Sequence, residues 1–208
     1  MAKIIADIGS CMGARLDRCL DAIRLCKDLG VSVVKFQMFY GEKYTKVGNI
    51  ELPRDLWPQM VEFAQEIEMP ITASAFDFGA VDLLNRSPVP FIKFSYGNRF
   101  KDAWFEQSEK QVMVSCDPLS YRSVPKEALK LYCIPEYPVR YQVDFDTLFP
   151  KFDGFSDHTM GIRQSVVAHN CGATWIEKHL KLDPEIGCPD EAFAIDARQM
   201  DQLVRSVS

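Results

Sequence analysis

The chain predicts an α/β protein, a compact (β/α)8 TIM barrel with several shortened helices. Three observations lead there. Eight short apolar runs of the buried-strand type recur along 208 residues, helical or loop segments separate them, and the runs tend to end on polar residues. Near-continuous hydrophobic strands separated by helices imply parallel pairing with both faces covered, which a closed barrel satisfies.

The first run is Lys3-Ile4-Ile5-Ala6-Asp7 and the second Val31-Ser32-Val33-Val34-Lys35-Phe36-Gln37. Between them Leu16, Leu20, Ile23 and Leu29 mark an amphipathic helix, closed by Gly30 at the C′ position. A second helix is predicted from about Arg54 to Glu68. Further strands are expected at Ile71–Ser74, Phe91–Phe94, Val112–Ser115, Leu131–Ile134, Phe152–Phe155 and Thr174–Glu177, and a last helix from about Ala197 to Val207. Typical barrels need about 250 residues, so several helices here must be minimal or missing. The sparse places are Lys101 to Lys110 and Ser120 to Lys130, the latter holding Pro125; thin cover there predicts exposed strands and a partner surface. A doubly wound open sheet is the alternative, without a GxGxxG after the first strand to support a dinucleotide site.

With 47% hydrophobic residues the chain can bury a core as one domain, residues 1–208. The 29 acidic and 24 basic residues give a net charge of −5, and no Lys/Arg run resembles a nucleic-acid footprint. Seven cysteines, an odd number without a CxxC pair, read as reduced thiols and a cytoplasmic location. No apolar run approaches the roughly 20 residues that span a bilayer.

In a barrel the site is built at the carboxyl ends of the strands. The residues there are Asp7, Lys35, Gln37, Asp77, Lys93, Ser115, Glu136, Tyr137, Ser156, Asp157, His158, Glu177, Lys178 and His179. Lys35 and Lys93, each flanked by apolar residues, could face a phosphate and a carboxylate; the alternative is pairing with a neighbouring Asp or Glu. His158 and His179 are two of only three histidines, the third being His169 within a helical segment. Two readings stand for the pair: hydrogen-bonded core histidines, or ligands of a divalent metal such as Mn or Zn that polarises a carbonyl. Cys11, Cys116 and Cys133 fall near strand ends, but nothing near them marks a Cys/His pair, and small buried hydrophobes are the plainer reading. Trp57, Trp104 and Trp175 read as packing or rim aromatics.

Ile5-Ala6-Asp7-Ile8-Gly9, Val34-Lys35-Phe36-Gln37, Ala75-Phe76-Asp77, Ile92-Lys93, Glu136-Tyr137-Pro138, Gly154-Phe155-Ser156-Asp157-His158-Thr159-Met160-Gly161-Ile162, Ile176-Glu177-Lys178-His179 and Pro189-Asp190 together resemble the sialic acid synthase family, from about residue 3 to 207. The resemblance implies a (β/α)8 barrel that condenses phosphoenolpyruvate with the open-chain aldehyde of an N-acylated amino sugar, giving a nonulosonic acid and phosphate: a carbon–carbon bond-forming transferase of carbohydrate biosynthesis. It implies a divalent metal, Mn foremost with Mg, Co or Zn as alternatives, held by His158 and His179. It implies catalytic work at Asp7, Glu177, His158 and His179. Phosphoenolpyruvate would meet Lys35, Lys93, Ser115 and Ser156, with Gln37 nearby, and the sugar Tyr137 and Asp190.

The departures are equally specific. Asp7 stands where the family usually has Glu, and Cys11-Met12-Gly13-Ala14 where Asn-His-Asn-Gly is common. Tyr96 replaces a phosphate-binding Ser, Pro135 an Asn or Ser, and Glu191 a His. The family's C-terminal antifreeze-like domain is expected to be absent, and with it the usual domain-swapped dimer, which leaves a homo-oligomer through another interface open. The alternative to a divergent synthase is a catalytically impaired barrel that binds a sugar or phosphorylated metabolite as a subunit or binding module. A different metal-assisted aldolase or hydrolase on the same scaffold is a third reading.

Overall fold

The computed structural model describes residues 1–9, 15–38, 52–182 and 190–208. Eight parallel strands close in sequential order: β1 (Lys3–Gly9), β2 (Val33–Met38), β3 (Ile71–Ala75), β4 (Ile92–Phe94), β5 (Val112–Cys116), β6 (Leu129–Cys133), β7 (Gly154–Asp157) and β8 (Trp175–His179). Closure rests on β1 pairing with β8, from Lys3 opposite Trp175 to Asp7 opposite His179, which rules out the open sheet.

The strands follow the predicted runs, except that most continue one or two residues beyond the last expected position. The reason is the period of two. Inward positions of the first layer are apolar, with Ile5, Val33, Phe91, Met113 and Leu131 forming a plug at the amino-terminal end of the barrel. Two residues further on, the same face carries Asp7, Lys35, Lys93, Ser115, Cys133, Ser156 and Glu177. Outward positions such as Ile4, Ala6, Val34, Phe36, Phe94, Val114 and Ile176 join the larger cluster under the helices. The hydrophobic signal therefore stops before the hydrogen-bonded strand does. Gly154 begins β7 because a Cβ there would lie 2.2 Å from the Trp175 carbonyl oxygen and 2.8 Å from Leu131 Cδ2.

Helices α1 (Leu16–Asp28), α2 (Trp57–Glu66), α3 (Phe78–Asn85), α4 (Asp102–Gln107), α5 (Arg163–Asn170) and α6 (Ala197–Val207) pack outside. Cys19, Ala22, Ile23 and Cys26 give α1 its buried stripe, and Gly30 N–H closes it on the Lys27 carbonyl. A 3-10 turn over Arg54–Leu56 replaces the expected first turn of α2. Asp77 caps α3 by accepting from Ala80 N–H at 2.9 Å, and Asp196 with Gln199 forms a capping box on α6.

Cover is thinnest where the sequence is sparse: α4 has six residues, and a single 3-10 turn, Tyr121–Ser123, separates β5 from β6. No helix lies between β6 and β7. The expectation of exposed strands there needs correcting, because side chains substitute for the missing helices. Tyr121 and Phe152 meet edge to face at 5.2 Å, Phe145 and Phe155 at 4.9 Å, and Tyr132 packs on Phe152 at 5.4 Å. Lys130 donates to the carbonyls of Pro125 (2.8 Å) and Lys126 (3.2 Å), satisfying backbone that a helix would otherwise pair. A cleft of about 780 Å3 remains between α4 and residues 122–128. No helix among the described residues is long and apolar enough to cross a membrane.

Candidate active site

A cavity of about 210 Å3 opens at the carboxyl ends of the strands. It gathers Asp7, Lys35, Gln37, Lys93, Ser115, Tyr137, Ser156, His158, Glu177, His179 and Asp190, every residue to which the family resemblance gives a role. The larger cleft beside α4 lies outside the barrel and holds none of them.

At the floor, Glu177 sits between two lysines: Lys35 Nζ lies 3.1 Å from Oε1 and Lys93 Nζ 3.2 Å from Oε2. Lys35 also donates to Asp7 Oδ2 at 2.6 Å and to Ser74 Oγ at 3.1 Å, while Lys93 donates to Ser115 Oγ at 2.6 Å. All these groups are buried. Burial raises the pKa of the Glu177 carboxyl, but Lys93 and Lys35 overcome it and hold the group well below the usual carboxylate range. Burial likewise opposes the Lys35 charge, yet Asp7 and Glu177 raise its pKa above the ordinary lysine value. The floor is a compensated cluster of two cations and two carboxylates, with the lysines paired as the alternative reading foresaw.

Above it stand the two imidazoles, their ring centroids 5.5 Å apart. His158 follows the end of β7 and His179 is the last residue of β8. Burial, then the neighbouring His179, pushes His158 down to about 3, so its ring is neutral. Its Nδ1 lies 3.3 Å from the Ile134 carbonyl, which leaves Nε2 as the lone-pair nitrogen. His179 Nδ1 is buried and accepts no hydrogen bond among the described residues; Asp190 Oδ2 lies 3.6 Å away. Gly9 faces the same space at φ +53°, where a Cβ would meet Asp190 Oδ2 at 2.6 Å.

Four residues on the list of polar strand ends fall outside the cavity. Asp157 and Lys178 are neighbours across β7 and β8 on the outward face, paired at 3.2 Å, with Ser165 of α5 donating to Asp157 at 2.5 Å. Asp77 pairs with Arg54, and Glu136 accepts from Tyr141 at 3.2 Å. Cys133 lines the cavity, but burial pushes its thiol up to about 12, and Cys116 likewise, so neither is poised as a nucleophile. Cys11, Met12 and Pro189 lie outside the described residues. Glu191 is half-buried beside Asp190, and Pro135 follows β6. Tyr96 does line the cavity, but its hydroxyl donates to Asp117 Oδ2 at 2.5 Å, and the Arg99 guanidinium lies 3.7 Å from its ring centroid.

Sequence reasoning missed Ser74, Ser95, Phe76 and Phe193. Ser74 was detectable, since Thr72 and Ser74 are the polar alternate positions of an otherwise apolar β3. Phe193 had no such signal. It lies in an aperiodic segment after β8, yet packs edge to face on His179 at 4.9 Å and His158 at 5.6 Å.

Known proteins share this architecture. Mus musculus N-acetylneuraminate-9-phosphate synthase is 27% identical over 246 residues, spanning 98% of this chain and 68% of that protein. N,N'-diacetyllegionaminic acid synthase of Legionella pneumophila is 25% identical over 251 residues, spanning 98% and 70%. The crystal structure of an N-acetylneuraminic acid synthetase from Leptospira borgpetersenii in complex with citrate superposes with a TM-score of 0.85 at 21% identity, covering 99% of this chain and 82% of that one. The family model of the NeuB family matches residues 103–208, which include both the Ser-Asp-His and the Glu-Lys-His segments. The chain therefore belongs to the NeuB family, the sialic acid synthase family that its strand-end motifs resemble.

Proposed function

We propose that this protein condenses phosphoenolpyruvate with the open-chain aldehyde of an N-acylated amino sugar, yielding a nonulosonic acid and inorganic phosphate. The observation that carries the reading is the burial of Lys35, Lys93 and Glu177 directly beneath His158 and His179 in one cavity. Relatives named as N-acetylneuraminate-9-phosphate, legionaminic acid and pseudaminic acid synthases support it.

The donors at the cavity floor suit a small polyanion. Lys35 and Lys93 supply positive charge, and Ser115 and Ser156 supply hydroxyls on the same inward face. The ligands for a divalent ion would be the neutral His158 ring and the orphaned buried Nδ1 of His179, beside the Asp190 carboxylate, although no group of three or more His, Cys, Asp or Glu among the described residues is already arranged to hold one. Such an ion, Mn foremost, would supply Lewis acidity toward the aldehyde oxygen. In the reaction C3 of phosphoenolpyruvate bonds to the aldehyde carbon, whose oxygen takes a proton. A water adds to C2 and gives up its protons, and the C2–O bond to phosphate breaks to leave a ketone. We assign the holding or passing of those protons to the buried carboxylates Glu177 and Asp7, both in contact with Lys35, with the two lysines keeping Glu177 anionic between transfers. Tyr137, packed on His158 at 4.3 Å, and Asp190 stand at the rim where the sugar chain would extend.

The test is phosphate release from phosphoenolpyruvate by purified protein with Mn and a panel of N-acyl amino sugars and simple aldoses. Release that requires both metal and an acceptor sugar is expected; none across the panel overturns the proposal. One observation favours a second reading, a barrel that binds without turnover: the Tyr96 hydroxyl is already taken by Asp117. Calorimetry separates the two, since phosphoenolpyruvate binding with no phosphate release is the signature of the second.

A further inference from the structure

Asp7 makes four polar contacts in the cavity, and they reach His179. Its Oδ1 accepts from Gly9 N–H at 3.0 Å. Its Oδ2 accepts from Lys35 Nζ at 2.6 Å and Gln37 Nε2 at 3.4 Å, and lies 3.3 Å from His179 Nε2. A carboxylate oxygen and an imidazole lone pair repel at that distance, so the contact is favourable only with the proton on Nε2. Nδ1 is then the nitrogen left to offer a lone pair to a ligand. That nitrogen is buried, accepts no hydrogen bond among the described residues, and lies 3.6 Å from Asp190 Oδ2.

His179 Nδ1 and Asp190 Oδ2 face one space, the position in which a cation would meet both. Gly9 keeps that space clear: a Cβ at this position would stand 2.6 Å from Asp190 Oδ2 and 3.3 Å from His179 Nδ1. On His158 the roles of the two nitrogens are reversed, because Nδ1 faces the Ile134 carbonyl at 3.3 Å.

We propose that Asp7 is a positioning residue that holds the Nε2–H form of His179, so that Nδ1 is the nitrogen presented to a divalent cation in the space bounded by Asp190 and Gly9. This rests on the metal-dependent reading given above. A carboxylate that accepts from the far nitrogen of a metal-binding histidine fixes both its tautomer and its ring orientation, and its removal costs about 10–100-fold in metal affinity. Asp7 serves Lys35 through the same oxygen, which ties the metal-facing ring to the cationic floor through one side chain.

Two measurements test it. Long-range 1H–15N spectra of 15N-histidine-labelled, metal-free protein, assigned with the His158→Gln and His179→Gln variants, should show Nε2–H at His179 and Nδ1–H at His158. Nδ1–H at His179 overturns the proposal whether or not metal binds. Calorimetric titration with MnCl2 should then show Asp7→Ala binding Mn about 10–100-fold more weakly than wild type. Asp7→Asn, whose amide oxygen still accepts a hydrogen bond, should keep the Nε2–H signal and most of the affinity, and it serves if the alanine variant does not fold. Equal Mn affinity in wild type and Asp7→Ala overturns the positioning role alone. A wild type that shows Nε2–H but binds no Mn overturns this proposal and the metal-dependent function together.

Discussion

Lys35 concentrates the electrostatic cost of the site in one residue. It is buried against Asp7 and Glu177, so Lys35→Met would leave two carboxylates with reduced compensation. Breaking such a pair from one side costs about 3–5 kcal/mol, read as a lower urea midpoint at pH 7. The folded-state pKa of Lys35 lies above its ordinary value, so its stabilising contribution is complete below that ordinary value and is lost as pH rises through the folded one. The gap between wild type and Lys35→Met should therefore narrow in strongly alkaline buffer; a gap that is constant with pH contradicts the assignment. Thiols give an independent check. Burial pushes Cys19, Cys26, Cys116 and Cys133 up to about 12, so peptide mapping after iodoacetamide at pH 8 should find these four unmodified until denaturant is added.

At the scale of elements, β7 and β8 do two tasks with one alternation. Ser156, His158, Glu177 and His179 face the cavity, while Asp157 and Lys178 pair behind it and tie to α5 through Ser165. Lys178→Met should destabilise the fold by about 3–5 kcal/mol in chemical denaturation, and adding Asp157→Leu should recover part of that loss, because the unpaired buried charge is then removed. Gly9→Ala tests β1 at the same end of the barrel. A positive φ and a Cβ 2.6 Å from Asp190 Oδ2 predict a cost of about 1–3 kcal/mol together with weakened Mn binding. Much of this was legible in the chain. Eight strands, the Gly30 end of α1, and ten of the eleven expected residues of the cavity follow from apolar runs and what terminates them, while Asp190 came from the family resemblance alone. What escaped has physical causes. Strand ends were placed short because inward polar residues break the apolar pattern, and Asp157 and Lys178 read as chemistry because composition does not report which face a residue takes. Phe193 acts through a loop packed on both imidazoles, where no periodicity points to it.

For the whole molecule, the two crossovers on either side of β6 carry no α-helix, and aromatic side chains stand in for them. Side chains held on loops open more readily than a docked helix, so amides of β5 and β6 should exchange at lower opening free energies than those of β1, β2 and β8. Native-state hydrogen exchange reads this directly, and uniform protection around the barrel would refute it. The alternation in β7 and β8 also constrains how such a chain can change over time. A one-residue insertion or deletion in either strand would turn an imidazole outward toward the helices and bring Asp157 or Lys178 into the cavity. Substitutions there alter the chemistry by degrees, whereas a single-residue length change exchanges the chemistry with the scaffold at one stroke. Variation in these two strands is thus open to side-chain identity and closed to length.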